Sequence, residues 1–211
     1  MRELTKQIVW MSPLWAGVLF TAYMMFVALP VFAQTNSIGV CCAWNSNLAD
    51  GVLTYKILGG DSTAQTAMQN AVVDWDNHIA GLSLVQVTGK APADIQIKFK
   101  EGGGVIAGQT NRKSDSNGLV TSVSILISGK AFGVTNAPTI IEQVTKHEVG
   151  HALGAGHANF NGDLMSTTVQ TGSGTISTCD VDAVVAANHW KLVDNALVPH
   201  APHDTQVICL T

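Results

Sequence analysis

Apolar positions change their spacing along this chain, and each change marks an element. From Ile8 to Ala33 the residues run without a charge, behind a start that carries Arg2 and Lys6. Residues 51–57 then alternate between apolar and polar and predict a strand. Ala67, Met68, Ala71, Val72 and Trp75 recur at helical spacing on one face, and Ser62 or Thr63 can cap that helix. Residues 82–87 predict a second strand, and residues 93–99, which alternate cleanly, a third. Gly102, Gly103 and Gly104 turn the chain into residues 105–108, and residues 120–128 form another strand. Pro138 stands where a helix begins, and Ile140, Ile141, Val144, His147 and His151 continue it at helical spacing. Ser177 or Thr178 caps a last helix over 179–192, with Asp180 and Asp182 in its first turn, where the helix dipole favours negative charge.

This order of strand, helix, strands, helix, loop and helix is an α+β pattern, with a twisted sheet over the helix that begins at Pro138. The chain of 211 residues has no internal repeat and no low-complexity linker, so one domain is expected over residues 34–211. A formal charge of -4, with charged residues at 12%, removes the electrostatic case for nucleic acid. Residues 1–33 stand apart. Their basic start, uncharged apolar run and small residues in Val31-Phe32-Ala33 read as a cleaved export signal. The run is also long enough to span a bilayer, which makes a retained membrane anchor the second reading. Both leave the basic end in the cytoplasm and place the domain outside, secreted or held at the outer face of the membrane by this segment alone.

An exported chain with an even number of cysteines (Cys41, Cys42, Cys179 and Cys209) suggests disulfides. Pairing adjacent cysteines is strained, so Cys41 and Cys42 are each expected to join Cys179 or Cys209. Two such bridges would tie the start of the domain to its last helix and its tail.

The densest chemistry lies in His147-Glu148-Val149-Gly150-His151-Ala152-Leu153-Gly154-Ala155-Gly156-His157. On a helix, His147 and His151 lie one turn apart on one face, so both imidazoles can reach one metal. Glu148, beside the first ligand, can reach a water on that metal. Gly154 accepts backbone angles that let the helix stop, and His157 can then return as the third ligand. A fourth position stays open, as a catalytic zinc requires. Asp163-Leu164-Met165-Ser166 follows eight residues further on from His157, counted to Met165.

The histidine motif together with Met165 resembles the metzincin clan of zinc metalloproteases, and the distance from His157 to Met165 resembles its matrixin branch. The likeness covers most of residues 44–192. It implies a mostly parallel five-stranded sheet with an antiparallel edge strand, the active-site helix beneath it, and a C-terminal helix. Met165 would be the methionine of the Met-turn, the floor beneath the zinc histidines. Residues 44–57 resemble the family's opening strand, Trp75 the tryptophan of its first helix, Ala93-Asp94-Ile95 its third strand, and residues 105–108 its edge strand over the cleft. A peptide substrate would add to that edge and be cut by Glu148-assisted attack of zinc-bound water. The loop from Ser166 to Ser177 would wall the pocket beyond the scissile bond. Asp180 would pair with a backbone group or the new N-terminus, or act as helix-capping charge.

The chain also departs from the vertebrate pattern. No histidine lies between residues 100 and 130, so a structural zinc is not expected. No tyrosine follows Met165 two places on. Calcium has one candidate, Asp115-Ser116-Asn117-Gly118, which reads first as a solvated turn.

The leading expectation is a zinc endopeptidase acting on extracellular proteins. One competitor is a zinc-holding module that binds peptides or matrix without cutting, against which the presence of Glu148 argues. Another is a zinc amidase acting on a non-protein substrate. In a gluzincin arrangement a distant glutamate would replace His157 as ligand. His78 and His189 read as surface or packing histidines, and His200 and His203, flanking Pro202, as part of a disordered tail.

Overall fold

Alternation in the strands puts one row of apolar side chains into a common layer. Tyr55 stands opposite Ile95, and Ile57 opposite Ile97. Ile95 and Ile97 in turn stand opposite Val123 and Ile125. Of these, all but Ile57 are buried. The computed structural model describes residues 35–103, 106–168 and 174–210. The signal or anchor expected over residues 1–33 lies outside the described residues.

In chain order the elements are β1 (Ser37–Val40), β2 (Val52–Leu58), α1 (Ser62–His78), β3 (Ser83–Gln86), β4 (Ile95–Lys100), β5 (Gly108–Ser114) and β6 (Val120–Ser128). A small hairpin, β7 (Lys130–Ala131) and β8 (Val134–Thr135), leads into α2 (Pro138–Ala152). Then come β9 (Ala155–Ala158), α3 (Thr178–Ala187), α4 (His189–Leu192) and β10 (Gln206–Ile208). The main sheet runs β3-β2-β4-β6-β5. Its first four strands are parallel and β5 is antiparallel at the edge, the arrangement expected. Parallel neighbours need a crossover, and α1 supplies it between β2 and β3. The apolar stripe of α1, with Met68 and Trp75 fully buried, packs on α2, which itself lies against β5 and β6.

Several elements differ from expectation. Asp61, not Ser62 or Thr63, caps α1: it keeps extended angles and its carboxylate accepts the Ala64 N–H at 2.8 Å. The opening strand begins only at Val52, because residues 46–48 form a short 3-10 turn. The edge strand is Gly108–Ser114 and not residues 105–108, of which residue 105 lies outside the described residues. Its sequence carries no apolar side chain, so hydrophobic periodicity passes over it. The last helix breaks at Asn188, whose amide Nδ2 donates to Leu153 O and Val184 O while its Oδ1 accepts the Trp44 N–H. An Asn side chain that satisfies other backbone groups competes with helix continuation.

The tail is not disordered. β10 pairs antiparallel with β1, which also pairs with β9, making a second sheet of order β10-β1-β9. The disulfides are also corrected: Cys41 joins Cys42, and Cys179 joins Cys209. The register gives the reason. Cys209 N–H bonds Asn36 O at the start of β1, whereas Cys41 follows its far end. Those positions are separated by about 16 Å of extended chain, well beyond the ~7 Å that a disulfide can bridge. Cys179 opens α3 beside β10, with its Cα 5.4 Å from that of Cys209.

Candidate active site

Helix α2 presents His147 and His151 one turn apart, with ring centroids 4.6 Å from each other. The helix ends at Leu153, and Gly154 turns the chain at φ +107°, a conformation that side chains with a Cβ rarely adopt. A Cβ there would also meet Cys42 O at 2.5 Å. The turn sends the chain into β9, which carries His157 back to within 5.4 Å and 4.7 Å of the other two rings. The backbone holds the first two rings: Nδ1–H of His147 donates to Leu164 O at 2.8 Å, and Nδ1–H of His151 to Ala155 O at 2.9 Å. Each bond leaves Nε2 with its lone pair free. Nε2 of His151 and of His157 lie 3.2 Å apart, close to the ~3.4 Å spacing of two ligands on a tetrahedral zinc. Burial and mutual repulsion push His151 down to about 3, and burial also lowers His147 and His157. Three neutral imidazoles with converging lone pairs fit a zinc ion.

Glu148 is buried, at 6% exposure, on the side of α2 that faces β5. Burial raises its carboxyl to about 7, against the opposing pull of a Thr110 hydrogen bond and the Arg112 charge. Thr110 Oγ1 lies 2.6 Å from Glu148 Oε2 and 3.0 Å from its main-chain oxygen, so its single proton is best used on the carboxylate. Gly108 makes this approach possible: a Cβ there would meet Glu148 Oε1 at 2.6 Å and Val144 Cγ1 at 2.7 Å. Arg112 Nε donates to His151 O at 3.1 Å, tying the edge strand to the end of the motif helix. Sequence periodicity missed Thr110 and Arg112, and Gly108 entered only as the last residue of the expected edge strand. Only the alternation of Thr110 and Arg112 with exposed residues in a polar stretch could have hinted at them.

Met165 is fully buried in a tight turn that Asp163 closes by accepting the Met165 N–H at 2.8 Å. The same turn supplies the Leu164 carbonyl that holds His147, so it orients that ring. A Cβ on Gly150 would stand 2.6 Å from Met165 Sδ and 3.0 Å from Trp75 Cζ2. Asp180 sits in the capping box of α3: its Oδ2 accepts from Ser177 N and Oγ, and Oδ1 has no hydrogen-bond partner. Burial and neighbouring Asp163 raise its carboxyl, so its structural surroundings are the Ser177 cap and Asp163. Asp115 Oδ1 accepts the N–H groups of Asn117 and Leu119, which closes the turn read from Asp115-Ser116-Asn117-Gly118.

A cleft of about 470 Å³ joins these parts, lined among others by Gln109, Thr110, Arg112, Glu148 and Thr167. His147, Glu148, His151 and His157 thus meet in one place, while Met165 packs on α2 at Gly150. The part of the 166–177 loop at residues 169–173 lies outside the described residues. His78 is a surface residue bonded to Asp74.

The matrixin family profile matches residues 43–188, and the chain belongs to that family. By family it is a metzincin-clan zinc metalloprotease. Two solved structures of myroilysin are similar to it. One shares 12% identity at a TM-score of 0.47, over 71% of this chain and 96% of that one. The other shares 12% at a TM-score of 0.45, over 70% and 90%. No curated protein matches the chain.

Proposed function

We propose that this chain is an endopeptidase that cuts extended segments of extracellular proteins, with His147, His151 and His157 holding one zinc and Glu148 as the base. The observation that carries the reading is the placement of the three histidine rings and the Glu148 carboxylate in one cleft beside an open strand edge. Among the described residues β5 pairs with β6 alone, so its outer edge offers N–H and C=O groups to a substrate backbone. When bound, zinc supplies a Lewis acid for the scissile carbonyl and makes water more acidic. Glu148 accepts the proton of the attacking water and delivers it to the leaving nitrogen. Thr110 holds Oε2 of that carboxylate and leaves Oε1 for the proton. Met165 supports the histidine cluster from below. Residues 1–33 deliver the domain outside the cell as a cleaved signal or a retained anchor. N-terminal sequencing of the exported protein separates these, since a start at Gln34 requires cleavage.

The deciding test compares the chain with Glu148→Ala for zinc retained through dialysis and for cleavage of casein or gelatin. Retained zinc in both, with cleavage reduced by roughly 10³-fold or more in the variant, is the expected result. Zinc without cleavage by the unmodified chain would turn the reading to a peptide-binding module or an amidase. A chain that retains no zinc would overturn it.

A further inference from the structure

A second group of metal-ligating side chains stands beyond Asn188, where the match to the family profile ends. His189 opens α4 and Asp194 follows its end, while His200 and His203 belong to the segment leading to β10. Asp194, His200 and His203 each bring a ligand atom within 4.8 Å of the others. The rings of His200 and His203 are 4.7 Å apart, and those of His189 and His203 6.0 Å. His189 Nδ1 lies 2.9 Å from Asp194 Oδ2, and His200 Nε2 lies 4.0 Å from the same oxygen.

We propose that Asp194, His200 and His203 form a second metal site, taking one Zn²⁺-class transition ion, with His189 as the residue that positions Asp194. Imidazole and carboxylate donors together suit zinc, nickel or copper and not calcium or magnesium, which take oxygen. The hydrogen bonds set the lone pairs for ligation. Nδ1–H of His200 donates to Ala201 O at 2.9 Å, which leaves Nε2 as the acceptor nitrogen. An ionised carboxylate only accepts, so His189 Nδ1–H donates to Asp194 and orients it, as outer partners of metal ligands do.

The backbone around the cluster is held on both sides. Asp194 N–H bonds His189 O at 3.0 Å, and Ala196 N–H bonds Trp190 O at 2.7 Å. Asn195 reverses the chain at φ 48°, its Oδ1 accepting from Lys191 Nζ at 2.7 Å. Downstream, β10 is paired to β1 and tied by the bridge from Cys179 to Cys209. The ligands therefore need only side-chain adjustment to close from 4.8 Å to the ~3.4 Å of a tetrahedral site, and water can complete it because the side chains are half exposed. An ion here staples the segment before β10 onto α4.

The test is zinc stoichiometry by equilibrium dialysis of the full chain at micromolar Zn²⁺, beside three variants. Two zinc per chain are expected, falling to one in the His200→Asn/His203→Asn variant, whose changes lie on half-exposed side chains. The His147→Ala/His151→Ala variant should keep one, and Zn²⁺ should raise its Tm but not that of the fourfold variant. A wild-type chain whose single zinc disappears with His200 and His203 would support this site while failing the catalytic reading. Equal stoichiometry in the wild-type and His200→Asn/His203→Asn chains would overturn the proposal, as would tail binding that needs millimolar Zn²⁺.

Discussion

Burial lifts the Glu148 carboxyl to about 7, whereas an unfolded chain ionises it near 4.5. Between those values the folded, metal-free protein binds more protons than the unfolded one. Its stability contribution is therefore intact below 4.5, declines as pH rises through the window, and carries the full penalty above 7. Glu148→Gln is expected to stabilise the metal-free protein by roughly 1–3 kcal/mol at pH 8 and to change little at pH 4. Urea unfolding in the presence of chelator at both pH values reads this, and an equal effect at both would refute the burial argument. Burial of His147 and His151 acts in the opposite sense, removing stability as pH falls below the ordinary histidine range, so the comparison of variant with parent isolates the glutamate. Thr110→Val removes the bond that favours the charged carboxylate. The acid limb of kcat/KM should then move to higher pH, and a charge-assisted bond of about 1.5 kcal/mol corresponds to roughly tenfold less activity on that limb. A limb that stays in place would exclude Thr110 from holding the base.

Among the elements, α2 shows how local and tertiary demands conflict. Glycine in a helix interior costs about 1 kcal/mol relative to alanine, so propensity alone favours Gly150→Ala. Packing opposes it, because the added Cβ would stand 2.6 Å from Met165 Sδ. The expected outcome is a net loss of about 1–3 kcal/mol with weakened zinc retention, measured by chemical denaturation and metal analysis. A stabilised variant would show that α2 does not press on the Met165 turn. The same element was legible beforehand, since Pro138, the apolar spacing and the histidines at one-turn spacing all act within a few residues. β5 was not legible, because an edge strand with one neighbour carries its polar sequence without cost and has no apolar period to read. The break at Asn188 was hidden for a similar reason: its partners, Trp44 and Leu153, are 144 and 35 positions away.

In the molecule as a whole, the two ends of the domain lie in one small sheet with β9, the strand that carries His157. The Cys179–Cys209 bridge closes a sequence separation of 30 residues and anchors β10. Replacing both cysteines with alanine should cost about 2–4 kcal/mol, by the chain-entropy argument for a loop of that length. A fall in the urea midpoint measures it. An unchanged midpoint would mean that pairing of β10 with β1 holds the tail without the bridge.

The residues from His147 to His157 determined by themselves which three histidines come together, because helical periodicity and a glycine stop act over a few positions. Strand alternation likewise located most of the strands of the core, and the family resemblance supplied their mostly parallel arrangement. Tertiary structure alone decided that Thr110 and Arg112 stand at Glu148, that Cys41 pairs with its neighbour, and that the tail becomes a strand. Those outcomes depend on which distant segments meet. The register of β1 against β10 couples Ser37 to Ile208, and no local pattern encodes that pairing, because it is chosen by the packing and hydrogen bonding of the whole chain.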